Sequence, residues 1–142
     1  MYFPLRSTLL LFAGFLLFSC KQSSVVILNK EVAYELPGRK EGTKAAHYKI
    51  QLIPKFNSID WSIQKIMLDG TELPFEMFDN EGKRQDAFNA KDTVMIRFSR
   101  LSNAIQRDAL PSSTINLYYF KKNKLKSTSI SDFTLNQTPI NQ

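Results

Sequence analysis

His47 is the only histidine in the chain and Cys20 the only cysteine. Together with the carboxylates and the lysines, they bound the chemistry that the chain can offer. A histidine acting as general base needs a nucleophile beside it and a group that orients its ring. A histidine on a strand surface needs neither, and His47 is read as one. Asp79, Glu81, Asp86 and Asp92 crowd one central stretch. Oxygen-rich loops hold Ca²⁺, but the spaced ligands of a calcium loop are missing. The stretch reads as a solvated turn, and no metal or other cofactor is expected. Two carboxylates also cleave glycosidic bonds when held ~5–10 Å apart across a cleft, a separation that only a fold can set. Lys121, Lys122, Lys124 and Lys126 form a basic hairpin tip beside Tyr118 and Tyr119. Lys121, Lys122, Lys124 and Tyr118 are the candidate partner-binding residues, suited to lipid head groups, peptidoglycan or an acidic protein. The plainer reading is an edge strand that lysine guards against aggregation. Trp61, the single tryptophan, either stacks on a ligand from an exposed position or fills the centre of a core. The second is expected.

The first 20 residues, MYFPLRSTLLLFAGFLLFSC, carry one positive charge, Arg6, ahead of an apolar run from Leu9 to Phe18. That is the pattern of a secretory signal. A membrane span needs ~20 apolar residues to cross ~30 Å of hydrocarbon, and this run is about half that. Ordinary signal cleavage wants small residues one and three positions before the cut, which Leu17 and Phe18 do not supply. A lone cysteine also rules out an internal disulfide framework. Leu17-Phe18-Ser19-Cys20 resembles the lipobox of bacterial lipoproteins. That resemblance implies cleavage between Ser19 and Cys20 and acylation of Cys20. One acyl chain holds a protein only marginally, and stable anchoring takes two signals; the diacylglycerol plus N-acyl group of the family exceeds that threshold. Residues 1–19 are then the signal peptide, and residues 20–24 a polar tether to the lipid. Lys21-Gln22-Ser23-Ser24 contains neither the acidic residues that mark surface export in some lipoproteins nor an aspartate that retains others in the inner membrane. The resemblance therefore implies a lipid anchor at the periplasmic face of the outer membrane.

The full chain of 142 residues has 19 basic and 13 acidic side chains. Loss of Arg6 with the leader leaves 18 against 13. This moderate positive balance favours solubility and contact with anionic surfaces. Aromatic–basic repeats and zinc-ligand spacing are both absent, so a nucleic-acid partner is not expected.

The body reads as short strands. Val25 to Leu28 is apolar and β-branched. Val32, Tyr34 and Leu36 alternate with polar or small neighbours, as a half-buried strand should, until Pro37-Gly38. Arg39 to Ala46 reads as a loop, and Tyr48, Ile50 and Leu52 as a strand closed by Pro54. Trp61 to Leu68 leads into Asp69-Gly70, a type I′ hairpin signature. Pro74 predicts a short or edge second arm. Asp79 to Gly82 is a turn, and Lys83 to Thr93 is irregular, with Phe88 as a plug into the core. Val94 to Ser99 is a strand. Arg100 to Leu110 predicts one or two helical turns, capped by Ser102 or Asn103. Ile115 to Phe120 and Leu125 to Ile130 pair across Lys122-Asn123. Asp132 to Leu135 adds a last short pairing, and residues 136–142 read as a frayed tail.

Strands at spacings near ten residues with little helix predict an all-β fold over residues 25–135. The expected form is an antiparallel β-sandwich, with immunoglobulin-like connectivity as one way to build it. A small β-barrel is the alternative. In leader, size, Asp69-Gly70 hairpin and Asp132-Phe133-Thr134 ending, the chain resembles the small lipoproteins common in Bacteroidota. That resemblance implies no catalytic residues. The function expected is a lipid-anchored, non-enzymatic binding or accessory module with an envelope protein or glycan as partner. A small envelope hydrolase acting on glycans is the alternative.

Overall fold

The computed structural model describes residues 24–35, 45–101 and 114–136. The leader, Ser19 and Cys20, Pro37-Gly38, the helical turns expected after Leu101 and the tail beyond Asn136 lie outside the described residues. Nine strands follow one another: β1 (Val25–Glu35), β2 (Ala45–Pro54), β3 (Trp61–Leu68), β4 (Thr71–Leu73), β5 (Phe75–Phe78), β6 (Val94–Leu101), β7 (Ile115–Lys121), β8 (Lys124–Ile130) and β9 (Thr134–Leu135). They form a five-stranded sheet of order β5-β6-β2-β1-β9 and a four-stranded sheet of order β4-β3-β7-β8. The sheets stack as a sandwich and do not close into a barrel. In immunoglobulin lettering β1, β2, β6 and β5 take the places of A, B, E and D, and β3, β7 and β8 those of C, F and G. All pairings are antiparallel except that of β9, which runs parallel to β1.

Period-two alternation decides which side chains fill the space between the sheets. Tyr48, Ile50 and Leu52 of β2, Val94, Ile96 and Phe98 of β6, and Ile115, Leu117 and Tyr119 of β7 are all buried. Trp61, at the start of β3, is fully buried, with its ring centroid 5.6 Å from that of Phe88 and 5.3 Å from that of Tyr119. Phe88 thus plugs the core from the β5–β6 connection. Tyr48 stacks on Phe98 at 5.0 Å and takes the edge of Phe133 at 5.4 Å.

Turn chemistry agrees with the expected hairpins. Asp69 and Gly70 take φ of 49° and 78°, and Lys122 and Asn123 take 48° and 62°. Both pairs have the positive φ that a type I′ turn requires. Gly82, at φ 80°, closes the turn that begins at Asp79.

Three expectations need correction. The segment read at 25–28 and the one that begins at Val32 are one strand, Val25–Glu35. Leu28 is an extra residue where the β1–β2 register slips, so the inward positions pass from Val25 and Ile27 to Val32 and Tyr34. That bulge is what broke the apparent alternation. Ala45 and Ala46 belong to β2 and not to a loop, and Arg100 and Leu101 extend β6 where helix was expected. Pro74 ends a short edge arm, as expected, and also redirects the chain. It has no N–H to continue the ladder with β3, and beyond it Phe75–Phe78 pairs with β6 in the opposite sheet.

Trp61→Ala should lower unfolding free energy by about 3–5 kcal/mol in urea titration. Trp61→Phe should cost clearly less. An aromatic ring still fills the space, and the buried indole N–H, which lacks a protein partner, is removed.

Candidate functional site

The outer face of the five-stranded sheet carries the residues left over by core packing. His47 and Lys49 on β2, and Arg97 and Ser99 on β6, alternate with the buried set. Register then brings together side chains far apart in sequence. Glu31, Lys49, Arg97 and Glu76 form one row across β1, β2, β6 and β5. Ala33, His47 and Ser99 form the next row. These rows, with Phe78 and Asn136, line an open groove of about 710 Å³.

Two polar systems occupy the groove. In the first, His47 Nδ1 lies 2.8 Å from Ser99 Oγ and Nε2 lies 2.8 Å from Glu35 Oε2. An ionised carboxylate only accepts. Nε2 of the neutral ring therefore donates to Glu35, and Nδ1 accepts from the Ser99 hydroxyl. Hydroxyl, imidazole and carboxylate stand in line; His47 is on a strand surface as expected, with partners on β1 and β6.

The second system is charged. Lys49 Nζ sits 2.7 Å from Glu31 Oε2. Lys49 as hydrogen-bond donor, helped by Asn29 and Asn136, holds the Glu31 carboxyl below its ordinary value near 4.5 against the opposing effect of burial. Lys49 and Arg97 are direct cross-strand neighbours, a repulsive pairing unless each has company. Lys49 has Glu31. The Arg97 guanidinium lies 4.5 Å from the centroid of the Phe78 ring, and its Nε donates to Met95 Sδ. Glu76, opposite Arg97, pairs instead with Arg84 at 2.8 Å. Among the described residues no carboxylate pairs with Arg97.

The residues expected at the basic hairpin do not form one surface. Lys122 and Lys124 are exposed at the turn. Lys121 folds over the Phe56 ring at 4.5 Å. Tyr118 points to the other face of β7, under Lys65 Nζ at 5.1 Å, and Tyr119 is buried against Trp61. Strand alternation separates Lys121 from Tyr118. Asp79 and Asp92 are spent on backbone N–H groups of their own turns. Ser19 and Cys20 lie outside the described residues. Glu35, Ser99 and Arg97 were missed in the sequence because His47 and Ser99 are 52 positions apart. The available signal was parity: Arg97 and Ser99 alternate with buried neighbours on β6.

The lowered Glu31 value means the pair with Lys49 stabilises the fold above about pH 4.5 and is lost as pH falls through the native value. Glu31→Gln should therefore cost up to about 1 kcal/mol at pH 7, since both side chains are partly solvated. In thermal melts from pH 7 to pH 3, the gap between variant and wild type should close below pH 4.5.

No protein-family model matches the chain, and no curated protein or solved structure matches it either, so the chemistry of this groove rests on its own geometry.

Proposed function

We propose that this protein is a lipid-anchored module of the bacterial envelope that binds rather than catalyses, held by acylated Cys20 at the periplasmic face of the outer membrane. The observation that carries binding is Arg97. It lies in a groove, stacked on Phe78, with no carboxylate partner among the described residues. A guanidinium has a planar donor fork suited to carboxylate or another oxyanion. The partner is therefore an acidic glycan or an acidic segment of an envelope protein, laid along the outer face of the five-stranded sheet. The lipobox-like Leu17-Phe18-Ser19-Cys20 supports the anchor.

The line Glu35–His47–Ser99 favours a second reading, a small hydrolase that removes ester groups from glycans. Binding remains the better reading for one physical reason. Acyl transfer needs donors aimed at the developing oxyanion, and Ser99 lies within the β2–β6 ladder, where the backbone N–H groups facing β2 are spent on that strand.

Two experiments test these readings. In the producing bacterium, wild type should carry acyl mass on Cys20 and sediment with membranes, and Cys20→Ala should do neither; a soluble, unacylated wild type refutes the anchor. A photoreactive side chain at Ser99 should crosslink an envelope component, and Arg97→Ala should reduce that yield by about tenfold, as loss of a charged hydrogen bond worth ~1.5 kcal/mol would. Turnover of acetylated glycans by wild type, abolished by Ser99→Ala, would instead establish the hydrolase.

A further inference from the structure

One end of the sandwich gathers most of the exposed large apolar side chains among the described residues. The described chain begins at Ser24, which is buried, and its carbonyl accepts from Lys55 N–H. The β2–β3 loop, the β5–β6 connection and the β7–β8 turn meet at this same end. Lys122 N–H donates to the Asp60 carbonyl, Ser58 N–H to that of Phe88, and Lys91 N–H to that of Pro54. Six large apolar side chains are exposed among the described residues, and only Leu101 belongs to the opposite end. Ile59 is 94% exposed at the tip of the β2–β3 loop, and Leu125 (56%) and Phe120 (38%) face each other beside the β7–β8 turn. Val26 and Leu28 are exposed along the first residues of β1. Exposed Lys55, Lys91, Lys122 and Lys124 stand among them, against Asp60 and Asp92.

An exposed isoleucine ringed by lysine is the composition of a surface that rests on an anionic bilayer, apolar tips below the head groups and ammonium groups at their level. The place of this end in the chain selects a membrane over a protein partner. Cys20 precedes Ser24 by four positions, a reach of at most about 14 Å. The ten-residue β2 spans about 33 Å, so a lipid on Cys20 cannot bring the opposite end, with Asp69-Gly70, to the surface without laying the sandwich on its side.

We infer that this end, with Ile59 at its apex and Lys55, Lys91, Lys122 and Lys124 around it, docks on the anionic lipid surface and orients the domain. This rests on the anchor proposed above. In that pose the sheet faces stand up from the bilayer, and the groove with Arg97 opens sideways, away from the head groups.

The test uses the mature protein purified from the producing bacterium, where acylation leaves no free thiol at Cys20. An environment-sensitive fluorophore is placed by Ile59→Cys or, at the opposite end, by Thr71→Cys. Each form is reconstituted in phosphatidylethanolamine vesicles containing phosphatidylglycerol. The label at 59 should shift to the blue and be quenched by lipids brominated near the head group, and the label at 71 should do neither. If Cys20 carries acyl mass but both labels stay in water, the orientation is refuted and the anchor stands. If Cys20 carries no acyl mass, the anchor fails, and sedimentation of the unlabelled protein with the same vesicles decides. Binding that weakens about fivefold with each of Lys122→Ala and Lys124→Ala, and is lost in Ile59→Glu, upholds the docking surface. No sedimentation overturns it.

Discussion

Two stacked sheets without a covalent link stay together only if the side chains between them exclude water. The chain has one cysteine, so no disulfide spans this sandwich as it does in antibody domains. Trp61, Phe88 and Tyr119 at one end and Tyr48, Phe98 and Phe133 nearer the other fill much of the space between the sheets, each ring against another. A buried aromatic side chain removes some 150–250 Å² from water, and each of these rings comes from a strand or loop of different position in the chain. Long-range closure therefore depends on the aromatic residues. Pro74 serves the same end by sending the chain from one sheet to the other between two strands of three and four residues.

Once alternation has sent the apolar set inward, the outward set has no packing role and is free for chemistry. On the five-stranded sheet that set is charged and hydrogen-bonded. Glu31 satisfies Lys49, Glu35 satisfies His47, and Arg84 takes up Glu76. Arg97 is the residue that this scheme leaves on an aromatic ring rather than on a carboxylate. The groove is thus rigid because its residues stand on paired strands, and a ligand would meet pre-positioned groups rather than loops that must be ordered first.

The loops serve differently. Those at the end where the chain enters hold one another through backbone hydrogen bonds, so exposed Ile59 is presented from a fixed platform. Among the described residues the opposite end carries the Asp69–Arg100 ion pair at 2.6 Å and one exposed large apolar side chain, Leu101. The groove on one face and the apolar, basic end thus lie on different parts of the domain.

Much of this was legible in the residues themselves. Alternation at Tyr48, Ile50 and Leu52 and at Val94, Ile96 and Phe98 marked strands and their inward faces. Asp69-Gly70 marked a hairpin, because only residues tolerant of positive φ fit there. Phe88 stood out as the one large apolar side chain in a polar stretch. These are local consequences of sterics and hydrophobicity, and a sequence displays them directly. The bulge at Leu28, the passage of Phe75–Phe78 to the other sheet and the extension of β6 through Leu101 were not legible, since each is decided by what the neighbouring strand offers. The same holds for the candidate site. His47 looked isolated because its partners, Glu35 and Ser99, belong to other strands. The sequence by itself determined strand content, inward faces, two tight turns and the lipobox-like segment. Tertiary structure alone decided the register that placed His47, Ser99 and Arg97 in one groove and Glu35 against His47, because strand pairing acts across chain separations that no local pattern records.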